Sequence, residues 1–455
     1  MTVANPERKK LPVSTKLAFG VGDLGPAILG AVNGFFLNAF LLQVAKLPPI
    51  WVGSIFLIVK LWDGVNDPIV GALTDRTNTR WGRRRPWLLF GAFPLGLAFF
   101  LHWIVPPLGD AGKFWYYLVV AVLLDTALTA VLVPYTALTP ELSSDYDERT
   151  SLNMYRFSFS IIGGMVAAAL HLQIVNAFPA DPRLGNMVSA GIWSFFLVVP
   201  SLITFAFTRE TQFRPEADEK GPGFFEGLKI AFSNRAFICV TLIYLLSWLC
   251  IQFVQNNLFL YVQFWTGPEG ASLFSVLLIG VQVSAFIFIL IWARVSQRLG
   301  KQNVYYVGMT FWILVEVALF FVPRGSVLPL FVLGPLAGAG LAIGYLIPWS
   351  MLPDVIELDE LETGQRREGI FYGFFVFLQK LGISLGVAFS NFALGAAGFN
   401  ADLPQQPEAV LTTLRLFISL APAVVLLISF IPVYLYPITK TRHAEIQAQL
   451  KSRRG

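Results

Sequence analysis

The sequence predicts an all-α membrane protein with twelve transmembrane helices in two pseudo-symmetric six-helix bundles and both termini in the cytoplasm. Three observations support this fold class. The composition is too apolar for a water-exposed surface, many apolar stretches have membrane-spanning length, and a repeat relates the two halves of the chain. Together they indicate that lipid is the solvent for most of the chain.

The composition excludes a soluble protein. The chain has 455 residues, of which 55% are hydrophobic and 13% are charged, and its mean hydropathy is +0.64. A soluble domain carries about 25% charged residues, so too few charges are present to cover a water-exposed surface of this size. The same figures exclude a disordered chain and a secreted disulfide-rich module, and they predict an integral protein of the plasma (inner) membrane.

Apolar stretches long enough to cross a bilayer follow one another along the chain, because a spanning helix needs about 20 such residues. The twelve stretches are 17–43, 50–74, 86–106, 114–139, 154–178, 187–208, 236–265, 271–293, 303–322, 328–351, 369–397 and 410–438. The longest polar connection lies near the middle. We therefore predict an N-terminal bundle at 1–208, a central cytoplasmic loop at 209–235 and a C-terminal bundle at 236–455.

The basic residues predict the orientation. If the N-terminus is cytoplasmic, 25 of the 33 Lys and Arg residues fall in inside segments and 4 in outside loops. Cytoplasmic loops of membrane proteins carry such an excess of positive charge. This bias explains the net charge of +5 without a nucleic-acid partner.

An internal repeat relates the two predicted bundles. VPYTALTPEL (133–142) in the first half corresponds to IPWSMLPDVI (347–356) in the second, and an acidic segment follows each. Six-span halves repeated in parallel are typical of transporters that move around a site at mid-membrane. The repeat therefore predicts alternating access.

The second apolar stretch contains ionisable residues on one helix face. Lys60, Asp63, Asn66 and Asp67 are spaced i, i+3, i+6 and i+7, which places them together on a helix. Two carboxylates four residues apart repel unless a cation lies between them, and oxygen ligands suit Na⁺. The pair could instead share a proton, or Lys60 and Asp63 could form a purely structural ion pair. We predict cation binding, of Na⁺ or H⁺, at Asp63 and Asp67 with Asn66 nearby, and thus a possible Na⁺ (metal) site at Asp63 and Asp67.

Other polar side chains in apolar stretches are candidates for a substrate cavity. Intramembrane charges are functional by default, although each could instead form a packing ion pair or bridge two helices. Asp23, near Lys16, could be no more than an interfacial charge. The predicted substrate-cavity residues are Arg156, Lys380, Asp125, Gln255, Asn256, Lys60 and Tyr135.

A basic loop follows the second stretch and predicts a gate. Asp75 can accept hydrogen bonds from Arg83, from Arg84 or from a neighbouring helix N-terminus. Such a latch stabilises one conformation of the two halves and opens in the other. We assign Asp75, Arg83 and Arg84 a gating role with no chemistry.

The chain resembles the glycoside–pentoside–hexuronide:cation symporters, a branch of the major facilitator superfamily. The resemblance covers nearly the whole chain and rests on KLAFGVGDLGP (16–26), KLWDGVNDPIVG (60–71), GRRRPW (82–87), VPYTALTPEL (133–142), IPWSMLPDVI (347–356) and FVFLQKLG (375–382). It implies the major facilitator fold. In the similar melibiose permeases the matching acids bind Na⁺, Li⁺ or H⁺, so the resemblance gives that role to Asp63 and Asp67. Arg156 and Lys380 match charged residues of that family's central cavity.

The departures from the melibiose permeases affect the substrate. Those permeases hold sugar with acids of spans 1 and 4 and a tryptophan, where this chain has Ala27, Leu132 and Thr136. The chain is more similar to the animal sodium-dependent lysophosphatidylcholine symporters of the same branch, whose span-4 acid falls on Asp125 and whose span-7 glutamate falls on Gln255. This resemblance implies an amphiphilic substrate such as a lysophospholipid.

The expected function is cation-coupled symport of a small organic solute by alternating access. A sugar, glycoside or uronide is the alternative substrate, and a transport-inactive membrane sensor is a further alternative. The chain has three His residues and no evident metal, nucleophile or phosphate-binding motif, so we expect no enzyme activity. The expected protein is a monomer among membrane lipids, with a small-molecule or lysolipid substrate, no nucleic-acid partner and no cofactor beyond the coupling ion.

Overall fold

The computed structural model describes residues 11–143, 145–210 and 224–454, and helices form the bulk of them. In chain order the helices are α1 Val13–Val21, α2 Leu24–Val32, α3 Pro49–Arg76, α4 Arg85–His102, α5 Asp110–Leu142, α6 Tyr146–Asn176, α7 Pro182–Phe207, α8 Phe224–Ser233, α9 Arg235–Tyr261, α10 Pro268–Leu299, α11 Lys301–Phe320, α12 Leu328–Thr363, α13 Glu368–Ala396, α14 Glu408–Ile418, α15 Leu420–Leu435 and α16 Lys440–Arg454. Short π-helical turns follow α2 and α9, at Asn33–Leu37, Phe40–Val44 and Val262–Thr266.

Ten helical segments of the described chain are long and apolar enough to cross a membrane. Each of them overlaps one of the twelve predicted stretches, and together they account for ten of the twelve. The other two stretches correspond to α3 and α4. The 28 residues of α3 include several intramembrane charges, and α4 has only 18 residues. The all-helical class agrees with the sequence, while the count of twelve spans and the cytoplasmic termini stay predictions.

The first predicted span is not one regular helix. Regular α-helix stops at Val21 and resumes at Leu24. Pro26 has no backbone N–H to donate to the carbonyl of Gly22, which weakens the helix at this point. A Cβ at Gly22 would lie 2.5 Å from the Tyr135 ring and 2.6 Å from the Thr204 hydroxyl, so the backbone here packs directly on two neighbouring helices.

The last predicted span, 410–438, is also interrupted. Ser419 has φ −133° and ψ −85° and separates α14 from α15. Pro422 lies four residues after Ile418 and cannot donate to its carbonyl. The Ser419 hydroxyl donates to the carbonyl of Arg415 at 2.5 Å. At each of the two interruptions, a proline thus lies four residues after a carbonyl that would otherwise accept a helical hydrogen bond.

The chain divides into two compact units. The first comprises residues 1–47 and 58–218, and the second comprises residues 48–57 and 219–455. The predicted connection 209–235 includes 211–223, which lies outside the described residues, and α8, which packs on α9 and α13 in the second unit. The predicted bundle limits at 208 and 236 stay predictions.

A helix that the apolar pattern does not indicate follows the last span. α16 docks on α12 in the second unit, with Ile446 and Leu450 buried in the same apolar core as Leu361. His443 Nε2 lies 3.0 Å from Glu357 Oε2, and Arg453 donates to the carbonyl of Leu361 at 2.6 Å. α16 therefore belongs to the packed structure of the second unit.

Candidate functional site

Acidic residues of α3 and α5 meet inside the first unit. Asp63 and Asn66 on α3 are 3% and 2% exposed, and Asp125 on α5 is 8% exposed. The i, i+4 spacing of Asp63 and Asp67 is matched on α5 by Asp125 and Thr129, so equivalent helix turns face each other. These side chains and Lys60 form what we call the α3–α5 cluster: Lys60, Asp63, Asn66, Asp67, Asp125 and Thr129.

Two polar connections join α3 to α5 within this cluster. Lys60 Nζ lies 3.1 Å from Asp63 Oδ2 and 3.3 Å from Asp125 Oδ1, so one ammonium group bridges both helices. One turn further along, the Thr129 hydroxyl donates to Asp67 Oδ1 at 3.0 Å. The structure therefore brings the three predicted acids together and adds Thr129, a residue that no pattern in the sequence marks.

The donor set of the cluster fits a small hard cation. Three carboxylates and one ammonium group give the cluster a formal charge of −2 when all are ionised, and unbalanced charge is costly in a buried site. Carboxylate, amide and hydroxyl oxygens are the ligands that hard cations prefer. Asn66 Nδ2 has no hydrogen-bond partner among the described residues, so the amide orientation is not fixed by a donated bond.

No preformed metal centre of three or more His, Cys, Asp or Glu side chains occurs in the described part of the chain. The candidate cation site therefore combines Asp63 and Asp67 with neutral oxygens of Asn66 and Thr129. The role of these residues in cation binding stays a prediction.

A second charged group lies between α6 and the break that follows α1. Arg156 Nε lies 3.2 Å from Asp23 Oδ1, and the guanidinium carbon lies 5.3 Å from the centre of the Tyr135 ring. The Tyr135 hydroxyl donates to the carbonyl of Phe19 at 2.7 Å. Asp23 is buried and Lys16 pairs with Glu148 at 3.0 Å, so Asp23 is the partner of a predicted cavity residue and not of Lys16.

The remaining predicted cavity residues belong to the second unit. Lys380 lies half-buried on α13. Gln255 and Asn256 lie on α9, where Asn256 is buried and Gln255 accepts a hydrogen bond from Gln252 at 3.3 Å. Their participation in one cavity with Arg156 stays a prediction.

The predicted gate residues form a compact ionic group in the first unit. Arg84 pairs with Asp75 at 2.5 Å and donates to the Thr74 hydroxyl at 2.7 Å. Arg83 pairs with Glu141 at 2.8 Å instead, and the Nε of Arg84 lies 3.3 Å from the same carboxylate. Glu141 thus joins both arginines to the end of α5, and the sequence reasoning did not single it out.

Glu210 is a further residue that sequence reasoning missed. Its carboxylate accepts hydrogen bonds from the backbone N–H groups of Arg83, Arg84 and Arg85 at 2.6, 2.8 and 2.9 Å. These groups precede or begin α4 and have no partner within the helix. Gly82 has φ +105°, and a Cβ there would overlap the Glu210 carboxyl group. A carboxylate remote in sequence therefore caps α4 and fixes the loop that carries both gate arginines.

A family model described as MFS/sugar transport protein matches residues 18–440. The chain belongs to this MFS/sugar transport family. Relatives of this family member include a symporter of Synechocystis, 37% identical over 98% of both chains. Sodium-dependent lysophosphatidylcholine symporter 1-A of Danio rerio is 32% identical over 98% of this chain and 90% of that protein. The sphingosine-1-phosphate transporter MFSD2B of Xenopus tropicalis is 30% identical, over 97% and 91%.

Solved structures show the same fold in other MFS transporters. The nucleoside transporter NupG superimposes with a TM-score of 0.66, at 15% identity over 94% of this chain and 100% of that one. A bacterial homologue of the lysosomal transporter Spinster gives a TM-score of 0.67, at 15% identity over 93% and 96%. Together with the ten apolar helices, the family makes this chain an integral membrane protein with a transporter fold.

Proposed function

We propose that the protein is a cation-coupled symporter that moves a lysolipid across the membrane by alternating access. The observation that carries this proposal is the buried α3–α5 cluster, in which three carboxylates face one lysine. A second cation, bound from solution, balances part of this surplus charge. The relatives named sodium-dependent symporters support Na⁺ as that cation.

The cation binds at Asp63 and Asp67, with the Asn66 amide and the Thr129 hydroxyl beside it. Thr129 already lies 3.0 Å from Asp67, and Asp63 lies one helical turn away on the same face of α3. Binding joins α3 and α5 more firmly, because the cation attracts the Asp63 and Asp67 carboxylates of α3 and the Thr129 hydroxyl oxygen of α5 at the same time. This change provides the link between ion binding and helix movement.

The substrate is an amphiphile with a phosphate-containing headgroup. Relatives at 32% and 30% identity are named for lysophosphatidylcholine and sphingosine-1-phosphate. Each of these lipids has one long hydrocarbon chain and one phosphate group. Arginine and lysine bind phosphate well, so Arg156 and Lys380 are the proposed headgroup ligands, with Tyr135, Gln255 and Asn256 in the same cavity. Asp75, Arg83 and Arg84 form the gate.

Uptake in proteoliposomes tests this function. The purified protein should accumulate fluorescent lysophosphatidylcholine when an inward Na⁺ gradient is imposed, and Asp63→Asn should remove the stimulation by Na⁺. Asp110→Asn is the matched control, because Asp110 is exposed at the start of α5. Na⁺-stimulated uptake that persists in Asp63→Asn contradicts the ion site, and uptake without any cation dependence contradicts symport.

A sugar, glycoside or uronide is the second candidate substrate, favoured by the description of the family as sugar transporters. Thermal unfolding of the protein with lysophospholipids and with glycosides, each with and without Na⁺, separates the candidates. We expect stabilisation by lysophospholipids in the presence of Na⁺. Stabilisation by glycosides alone would assign the sugar.

The proposed function involves no chemical change of the substrate and no cofactor beyond the coupling ion. Mass spectrometry of the accumulated lysolipid should therefore recover it unmodified, and hydrolysis would contradict this. We propose a monomer as the functional form, which light scattering of the detergent-solubilised protein measures directly.

A further inference from the structure

Lys60 occupies an unusual place in the α3–α5 cluster. Its ammonium group lies 3.1 Å from Asp63 and 3.3 Å from Asp125, nearly midway between a proposed ion ligand and an acid of another helix. Asp125 lies 65 residues away in sequence, whereas Asp63 lies one turn away on α3. The lysine therefore contacts two carboxylates at once, and one of them is a proposed ion ligand.

We propose that Lys60 is a tethered counter-cation, which neutralises Asp63 as well as Asp125 when the ion site is empty and is held by Asp125 alone when Na⁺ binds. The inference rests on the proposed function and describes how the same site is regulated. Lysine suits this exchange because its ammonium is a compact charge on a flexible four-carbon stem. An arginine at this position would form a planar, bidentate pair that exchanges less readily.

The charges of the cluster explain why an internal cation is needed. Without Lys60, the three acids Asp63, Asp67 and Asp125 would carry a formal charge of −3 in a largely buried site, and intramembrane charge is expensive unless paired. Lys60 reduces this to −2 in the empty carrier, and one Na⁺ reduces it to −1. The empty carrier can therefore change conformation without Na⁺, because the Lys60 ammonium group supplies a positive charge at the ion site.

The exchange also explains the role of Asp125. When Na⁺ takes the Asp63 carboxylate, the displaced ammonium group needs another buried partner, since an unpaired charge there is strongly destabilising. Asp125 already pairs with Lys60 at 3.3 Å, so the ammonium group keeps this partner with only a short movement of the side chain. Asp125 thus acts through Lys60, as a positioning residue of the ion site.

Na⁺ affinity of the purified full-length protein provides the first test. It is measured by Na⁺-dependent tryptophan fluorescence or thermal unfolding, independently of transport. Because Na⁺ no longer competes with a bound ammonium group, Lys60→Gln should lower the half-saturating Na⁺ concentration by about tenfold, within the usual range of coupling between sites. Unchanged or weaker Na⁺ binding in Lys60→Gln overturns the proposal, and the transport modes below separate it from a lysine that only joins α3 to α5.

Transport modes provide the second test. Lys60→Gln should retain exchange of labelled for unlabelled lysophosphatidylcholine with Na⁺ on both sides, because the carrier stays loaded. Net Na⁺-driven uptake should fall by about tenfold or more. The empty carrier must return to its outward-open conformation, and this step is slow when no lysine balances the carboxylates of the α3–α5 cluster. Equal loss of both modes indicates a merely structural role and overturns the proposal.

Further variants keep the test decisive. Lys16→Gln is the matched control, since it removes another lysine of the same unit, paired with Glu148, and should change neither Na⁺ affinity nor the two modes. If Lys60→Gln does not fold, Lys60→Arg provides the test. Because arginine forms the firmer pair with a carboxylate, Lys60→Arg should bind Na⁺ more weakly than the unmodified protein, and unchanged binding overturns the proposal. Absence of any Na⁺ effect on the unmodified protein would instead overturn the proposed Na⁺ coupling itself.

Discussion

Thr129 shows how a neutral side chain completes a charged site. It is buried on α5, and its hydroxyl donates to Asp67 at 3.0 Å. The hydroxyl orients the carboxylate and offers its own oxygen lone pairs to a bound cation. At the scale of single residues, the proposed ion site therefore includes a candidate ligand that carries no charge.

Replacing this hydroxyl tests its contribution. Thr129→Val keeps the shape of the side chain but removes one hydrogen bond to a carboxylate, an interaction that contributes about 1.5–3 kcal/mol. We expect the Na⁺ concentration for half-maximal uptake to rise by about tenfold. Thr413→Val is the matched control, because the Thr413 hydroxyl donates to the carbonyl of Ala409 in its own helix. Equal effects of the two variants would argue against Thr129 as an ion-site residue.

The pair of Arg156 and Asp23 illustrates a contact that depends on both partners. The separation of 3.2 Å joins α6 to the interrupted first span at a point where Gly22 packs against Tyr135. Removal of one partner leaves a buried charge without compensation. An effect of Arg156 substitution on transport therefore needs Asp23→Asn beside it before it is assigned to substrate binding.

At the scale of elements, the start of α4 depends on a distant segment. The first N–H groups of a helix have no partner inside it, and here the Glu210 carboxylate accepts three of them. A negative charge at a helix N-terminus is also favoured by the helix dipole. The start of the segment after α7 is thereby joined to the loop that carries Arg83 and Arg84.

Loss of this cap should destabilise the first unit. Glu210→Ala leaves three backbone N–H groups without their acceptor, and each unsatisfied buried donor costs about 1–3 kcal/mol. We expect a lower thermal unfolding temperature and a smaller maximal uptake rate at unchanged Na⁺ affinity. Glu226→Ala is the control, because Glu226 is exposed on α8. Unchanged unfolding of Glu210→Ala would contradict the capping role.

At the scale of the whole molecule, the predicted orientation has a direct test. Both native cysteines, Cys239 and Cys250, are buried and free, so a membrane-impermeant maleimide should label the unmodified protein weakly. Arg80→Cys lies in the loop between α3 and α4, and Gln405→Cys lies in the connection before α14. Both positions are exposed. Intact cells should label only Gln405→Cys, because the excess of Lys and Arg places residue 80 inside.

Permeabilised cells supply the control for this labelling. Both introduced cysteines should then react, which shows that the lack of labelling in intact cells reflects sidedness. Labelling of Arg80→Cys in intact cells would reverse the predicted orientation. Labelling of both would contradict the count of spans between them.

Much of the site follows from the sequence, because ionisable residues are rare in apolar stretches and so stand out. Asp63, Asp67 and Asp125 were predicted in this way, and the structure places all three within one cluster. Thr129 and Glu210 could not be predicted, since threonine is common inside spans and Glu210 lies in an ordinary polar connection. The helix interruption at Ser419 likewise depends on Pro422 and on packing, which apolar content does not reveal.

The sequence by itself indicated that lipid surrounds most of this protein, and it supplied the family resemblance, the order of the candidate spans and the identity of the charges within them, while the count of twelve stays a prediction. These features depend on composition and local spacing, which are properties of the chain alone. Only the tertiary structure decided the partners of those charges: Lys60 between Asp63 and Asp125, Arg156 with Asp23, and Glu210 on α4. Pairings between distant residues depend on how helices pack, and packing is a property of the whole molecule.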